Sequence, residues 1–186
     1  MTDSRAAGDR VTHPLFSKGG ESGSSPTAAL LWFCDIDLDR CRSLNRLWHS
    51  TLPELGGGGS RVCYGATFDG LYYATACWTN PASPKLPQLT WLQLKRFAIA
   101  PDAPRNTASR MMAWMERDVR KRFPDVTEMV SYQDCERHTG GIYRLAGWTP
   151  GPVEVRSEAT TWHNRQRSRR VNGKPRVVRR WTKELR

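Results

Sequence analysis

The dipeptide Asp69-Gly70 constrains this chain more than any other feature. It separates two β-like segments, Arg61 to Phe68 and Leu71 to Thr79, and Asp-Gly favours the tight turn that joins antiparallel neighbours. A hairpin here commits the middle of the chain to a sheet. Everything before and after it must then pack on that sheet or stay outside the fold.

Upstream, Ala28 to Cys34 is a short apolar run suited to a buried strand. Asp35 or Asp37 then offers an N-cap, and Leu38, Cys41, Leu44 and Trp48 recur at helical steps. Pro53 and the run Gly56 to Gly59 end that helix. Downstream, Leu89 to Ile99 alternates through Leu92, Leu94 and Phe97 as a long strand. Asn106 caps a helix with a stripe of Met111, Met115 and Val119, widened by Met112 and Trp114. Thr127 to Tyr132 reads as a strand and Arg137 to Ala146 as a short helix closed by Gly147. An extended stretch begins at Trp148, and Glu158 to His163 is the last strand expected. The order β, α, β, β, β, α, β, α, β, β argues for an α/β fold, a mixed sheet flanked by helices.

Residues 1–27 are rich in Gly, Ser, Thr and charge and read as a flexible, disordered arm, within which His13, Leu15 and Phe16 form a small apolar exception. The expected domain runs over 28–163. The formal charge is +11, and residues 164–186 hold ten Lys or Arg against one Glu, which reads as a basic tail. Such a tail points to an anionic polymer, because cations that neutralise phosphates release counterions. Five cysteines without close paired spacing leave one thiol over in any disulfide scheme, which fits a reducing cytoplasm and argues against structural zinc. The longest apolar run, residues 28–34, is too short to span a bilayer and starts too late for a signal peptide.

Two stretches carry a resemblance. LQLKRFAIAPDAPRNTASRMMAWMERDVRKRF, from Leu92 to Phe123, looks like the strand that leads into the cofactor-binding helix of GNAT acyltransferases. VSYQDCERHTGGIYRLAGW, from Val130 to Trp148, is similar to the GNAT strand and helix with a Tyr before a closing Gly-aromatic pair, here Tyr143, Gly147 and Trp148. With the late TTW and the Arg-rich end, the pattern more narrowly resembles the bacteriophage Mom family. That resemblance implies a GNAT-like fold and conversion of adenine in phage DNA to the N-carbamoylmethyl form, so that host restriction fails. It further implies a double-stranded DNA partner, no membrane, and a bacterial host cytoplasm; a homodimer stays open. The usual phosphate-loop glycines are replaced by Ala108 and Arg110. Acetyl-CoA or another activated two-carbon or glycyl donor both remain open, with Arg105, Asn106, Thr107, Ser109 and Arg110 as its binding set.

Chemistry on a base amine requires the base to leave the stack, so stacking surfaces and polar groups are needed together. Asp134, at a strand end where such sheets open, is a candidate to take the amine proton, or else the cap of the next helix. His138 is a base, a donor or a solvated helix residue. By the resemblance Tyr143 protonates the leaving group or orients the donor, against a plain core aromatic. His49 faces the acceptor or stabilises its helix end. Ser131, Tyr132 and Gln133 line the base pocket. A metal held by His49, Asp134 and His138 is conceivable only if the fold joins them, and no metal is expected. Trp162, Arg165, Arg167, Arg169, Arg170, Lys174, Arg176, Arg179, Arg180 and Trp181 form the expected nucleic-acid interface, with cations on phosphates and indoles on bases. Two alternatives stay open: an N-acetyltransferase acting on a protein, RNA or small amine, and a non-catalytic nucleic-acid-binding module.

Overall fold

A computed structural model describes residues 26–56, 59–156 and 175–185. A single 3-10 turn, Ala28–Leu30, leads into β1 (Trp32–Asp35) and α1 (Leu38–Trp48). The hairpin follows as β2 (Ser60–Phe68) and β3 (Leu71–Thr79), then β4 (Trp91–Ile99), α2 (Thr107–Arg122) and β5 (Glu128–Asp134). The chain ends with α3 (Gly141–Leu145), β6 (Thr149–Arg156) and β7 (Arg176–Glu184). The seven strands form one sheet in the order β1-β2-β3-β4-β5-β7-β6. Only β4 and β5 pair in parallel; every other neighbouring pair is antiparallel.

The hairpin turn is built as expected, with Asp69 at φ 48° and Gly70 at φ 75°. Two successive positive φ values give the twist that the flanking strands need. Because neighbouring strand residues face opposite sides, β2 and β3 carry two cores. Cys63 and Cys77 meet Cys41 of α1 and Leu55 on one face. Tyr64, Ala76 and Trp78 meet α2 on the other. There Met111, Met112, Met115 and Val119 are completely buried. Each such side chain contributes about 1.5–3 kcal/mol by leaving water. The Trp78 indole N–H reaches Met115 Sδ at 3.2 Å, and the Tyr64 hydroxyl donates to Asp118 Oδ2 at 2.7 Å, tying α2 to the sheet.

Asp37, not Asp35, caps α1, accepting from the Arg40 amide at 2.7 Å. Three expectations are corrected. The run 28–34 is not a buried strand: its first part is the 3-10 turn, and β1 pairs with β2 alone at the sheet edge. The helix expected over 137–146 shrinks to α3, because Asp134 Oδ1 accepts the Glu136 amide at 3.1 Å and ties residues 134–138 into a turn first. Most consequentially, residues 164–186 are not all tail, and the domain does not close at 163. Arg176–Glu184 is a strand inserted between β5 and β6. The expected strand Glu158 to His163 lies outside the described residues, as do residues 1–25 of the expected arm. No described helix is long and apolar enough to cross a membrane.

The physical reason for the misread tail is that the cations on β7 are only half-exposed and two of the four are spent within the domain. Arg176 pairs with Asp134 at 3.2 Å, and Lys183 Nζ donates to the carbonyls of Ala146 and Gly147 at the end of α3. Between them Trp181 is 0 % exposed. Truncating the chain after residue 175 should therefore abolish cooperative unfolding rather than leave a tailless domain, since β5 loses one of its two neighbours and β6 its only one. Trp181→Ala should cost about 3–5 kcal/mol in urea denaturation; a change within experimental error would contradict this placement.

Candidate active site

The parallel pair β4 and β5 is in register only from Trp91↔Glu128 to Leu94↔Ser131. Beyond that point β4 continues along β3 to Ile99, while β5 continues along β7 to Asp134. The two arms part, and the sheet opens at the carboxyl ends of its parallel strands. A register shift opposite Cys77 and Trp78 makes Lys95 the extra residue of a bulge at the point of divergence. Backbone groups on the inner edges of both arms thus lack a neighbouring strand, and such groups seek partners. Crevices of this kind at the carboxyl ends of strands are common ligand sites.

At the vertex sits Tyr143, projected from α3 and 8 % exposed. Its ring stacks on Trp181 with centroids 5.3 Å apart and 18° between planes, and it meets Trp148 at 5.5 Å. Its hydroxyl lies 2.9 Å from Ser131 Oγ, and Ser131 Oγ in turn lies 3.5 Å from the Leu94 carbonyl. A carbonyl only accepts, so Ser131 donates to Leu94 and the phenol donates to Ser131. Burial raises the Tyr143 pKa, with the Ser131 hydrogen bond acting against it. The phenol therefore holds its proton near neutral pH, as an acid rather than a base.

The motif around Tyr143 is an interlocked support. Gln133 donates to the His138 carbonyl and accepts the Trp181 indole N–H at 2.7 Å. Gly140, which precedes α3, has φ 72°, and a Cβ there would meet Gln133 Oε1 at 2.6 Å and Trp181 Cζ2 at 2.7 Å. No other residue fits that contact without displacing both. At the far end of α3, the Gly147 amide donates to Arg144 O and the Trp148 amide to Tyr143 O, a Schellman closure. The Trp148 indole donates to Glu116 Oε1 at 2.7 Å and fastens α3 to α2.

Asp134 is largely committed to structure. Besides the Glu136 amide, its carboxylate faces Arg176 at 3.2 Å and Arg137 at 3.9 Å. These contacts make Asp134 the anchor of a turn rather than a free base, and it does not cap α3, whose N-cap is Gly140; they also remove Asp134 from the three-residue metal set. No group of His, Cys, Asp or Glu among the described residues is arranged to hold a metal ion. His138 is exposed, and its backbone, not its ring, is held. Ser131 and Gln133 do not line the opening as free polar groups, being buried and internally bonded. Tyr132 lies under the Arg156 guanidinium at 4.8 Å.

His49 stands at the carboxyl end of α1. Its Nδ1 accepts from the Leu52 and Thr51 amides at 3.2 and 3.4 Å, so its proton sits on Nε2 and it serves as a donor. Burial lowers its pKa, and the charges of Arg96 and His138 lower it further. His49, Arg96 and His138 therefore share one electrostatic neighbourhood. Arg96 escaped the sequence reading, although a cation inside the alternating strand LKRF was its signal.

On the other rim, α2 begins after Asn106, which takes φ 70° without a side-chain cap. The hydroxyls expected to bind a donor phosphate are turned inward: Thr107 Oγ1 donates to Pro104 O at 2.6 Å and Ser109 Oγ to Asn106 O at 3.1 Å. The Arg110 amide closes on Asn106 O, and the Thr107 amide on Pro104 O. By helix geometry the Ala108 and Ser109 amides remain as outward donors. Left-handed Asn106 followed by helical backbone is the arrangement that makes an anion nest. With the exposed Arg105 this helix start fits a phosphate-bearing donor even without glycines. Arg110 instead lines a groove on the β1 side of α2.

Of the expected nucleic-acid contacts, Trp162, Arg165, Arg167, Arg169, Arg170 and Lys174 lie outside the described residues. Arg176, Arg179 and Arg180 are strand residues, and Trp181 is core rather than a stacking surface. What changes is the attachment of the basic segment. Arg156 pairs with Arg176, and Val178 with Asp134, so the described residues that flank 157–174 lie at the open end of the sheet.

The signature of the Mom protein family matches residues 71–183, more than half of the chain. Among solved structures, ribosomal-protein-S18-alanine N-acetyltransferase from Escherichia coli superposes with a TM-score of 0.60 at 11% identity, covering 83% of this chain and 94% of that one. Spermidine N-acetyltransferase from Vibrio cholerae, in complex with CoA and spermine, gives 0.58 at 10% identity over 84% and 96% of the chains. The yncA protein from Salmonella typhimurium, solved with its cofactor acetyl-CoA, gives 0.58 at 10% over 84% and 95%. At such identities the likeness is one of fold, the GNAT acetyltransferase fold. No curated protein matches the sequence.

The support makes two predictions. Gly140→Ala should destabilise the protein by roughly 3 kcal/mol through overpacking and strain, read as a lowered urea midpoint; wild-type stability would remove the clamp. For His49 the folded pKa is below the ordinary 6.5. Its contribution to stability is thus present above about pH 6.5 and lost as pH falls through the folded value. Thermal melts from pH 7.5 down to 5 should decline in wild type and flatten in His49→Gln; parallel profiles would count against it.

Proposed function

The chain belongs to the Mom protein family, and on that premise we propose that it is a transferase that converts the 6-amino group of adenine in DNA to its N-carbamoylmethyl form, shielding phage DNA from host restriction. The observation that carries this reading is that two features share one end of the sheet. One is the opening between β4 and β5 with the Tyr143–Ser131 pair at its vertex; the other is the pair of anchor points of the basic segment. That segment holds Arg165, Arg167, Arg169, Arg170 and Lys174 against Glu158, a charge suited to hold phosphates near the crevice.

An adenine amine reaches such a crevice only after leaving the duplex stack. The bound donor supplies an activated carbon, and the start of α2, with Arg105, the Ala108 and Ser109 amides and the Asn106 turn, is the place that would hold its phosphate. The chain's own residues do the rest. Tyr143 keeps a proton at its hydroxyl, buried from water and held in the bond to Ser131, which it would leave to protonate the group that departs. His49 offers an Nε2–H to the acceptor side, where Arg96 adds positive potential. Asp134 positions the turn that carries His138 and α3, through Arg176 and the Glu136 amide.

A second reading, an N-acetyltransferase acting on a small amine or a protein, is favoured by the fold likeness to amine acetyltransferases. Expression in bacteria followed by mass spectrometry of plasmid nucleosides separates the two. A carbamoylmethyl-deoxyadenosine is expected from wild type, and about a hundredfold less from Tyr143→Phe with an unchanged melting curve. Unmodified nucleosides from well-folded protein that binds coenzyme A tightly would turn the assignment to the second reading. A Tyr143→Phe variant as active as wild type would remove the phenol from the mechanism.

A further inference from the structure

Away from the crevice, a groove of about 410 Å³ runs between β1 and α2, lined by Trp32, Phe33, Trp114, Arg110 and Arg117. Trp114 is fixed as one wall, with Phe33 at 5.9 Å and the Tyr64 ring edge-on at 5.2 Å. Trp32 stands at the rim, 72 % exposed. An indole left in water on an edge strand forgoes a large apolar gain, and exposed aromatics of this kind mark interaction sites. Arg110 and Arg117 are exposed, two turns of α2 apart, about 10 Å along its axis. Among the described residues neither has an ion-pair partner. The acids of the same helix are engaged elsewhere, Glu116 by Trp148 and Asp118 by Tyr64 and Arg122. No acid lines the groove.

We infer that this groove binds a stretch of DNA strand with unpaired bases, its phosphates on Arg110 and Arg117 and a base against the indole of Trp32 or Trp114. The inference rests on the reading of DNA as the substrate and adds a second contact beyond the crevice. Fixed aromatic walls with unpaired guanidinium groups are what single-strand binding requires: rings for any base, cations for the backbone. Charge separates the possible occupants. Residues 1–25, which lead towards β1, carry Arg5, Arg10 and Lys18 against Asp3, Asp9 and Glu21 and are neutral. A second copy of the chain carries +11 and is repelled. An anionic membrane would favour protruding side chains over a concave groove.

The test uses the full-length protein and a single-stranded oligonucleotide bearing 5-iodouracil. Irradiation and peptide mapping should place cross-links on residues 31–33 or 110–117. In anisotropy titrations, Trp32→Ala and Arg117→Glu should each weaken single-strand binding about tenfold. Arg117→Glu should also lower the slope of log K against log salt by about 0.7. Circular dichroism of both variants should match the parent. Cross-links confined to other segments, or variants that bind as the parent does, would overturn the inference. So would a loss seen for vesicles of anionic phospholipid but not for DNA. The two readings fail separately: adenine modified in cells with an unaffected groove sinks only the groove, whereas groove cross-links without any modified nucleoside sink only the transferase.

Discussion

Trp181 is the residue on which the rest of the structure depends. Its indole face carries Tyr143, its N–H is received by Gln133, and its edge leaves no room for a side chain at Gly140. Through these contacts one side chain fixes the orientation of the phenol, the path of the turn before α3 and the seating of β7 between β5 and β6. A buried indole needs a hydrogen-bond acceptor, and the acceptor here is a side chain whose other end holds the His138 carbonyl. A buried network of this sort is rigid because each member would leave another unsatisfied if it moved.

The opening of the sheet follows from competition between strands. β4 keeps its partner β3 and β5 keeps its partner β7, so the parallel pair can remain joined only over its first residues. The bulge at Lys95 increases the local twist and drives the arms apart. Exposed backbone donors and acceptors on those arms are costly in a closed interior and useful in a crevice, where a ligand can satisfy them. Around this crevice the protein arranges a neutral acid at the vertex, a neutral imidazole donor at the end of α1 and an amide nest at the start of α2.

The local elements were legible where sequence and tertiary demands agree. Asp69-Gly70 announced its turn, the 3.6-residue stripe of methionines announced α2, and the succession of strands and helices came out in the right order as far as β6. The contacts of the candidate site were far less legible than the elements that carry it. Tyr143 was found through its motif, while Asp134 was taken for a candidate base because nothing in a linear text shows Arg176 beside it. Thr107 and Ser109 were taken for phosphate donors because their hydroxyls could equally turn back on the chain. Arg96 and the clamp between Gln133, Gly140 and Trp181 were missed, since they join strands whose adjacency is not sequential.

What the amino-acid sequence determined alone was set by near neighbours: the turn at Asp69-Gly70, a cap at Asp35 or Asp37, the faces of α1 and α2, and a charge concentrated near one end. These follow from backbone preference and periodicity, which act over a few residues. Only the tertiary structure decided that part of the arginine-rich end is a strand inside the sheet. Alternation there is masked, because half-exposed cations reach solvent or backbone carbonyls while Trp181 alone on that strand is fully buried. Whether a cation is solvated or spent depends on what lies across the strand, and that is fixed by register between segments far apart in the chain.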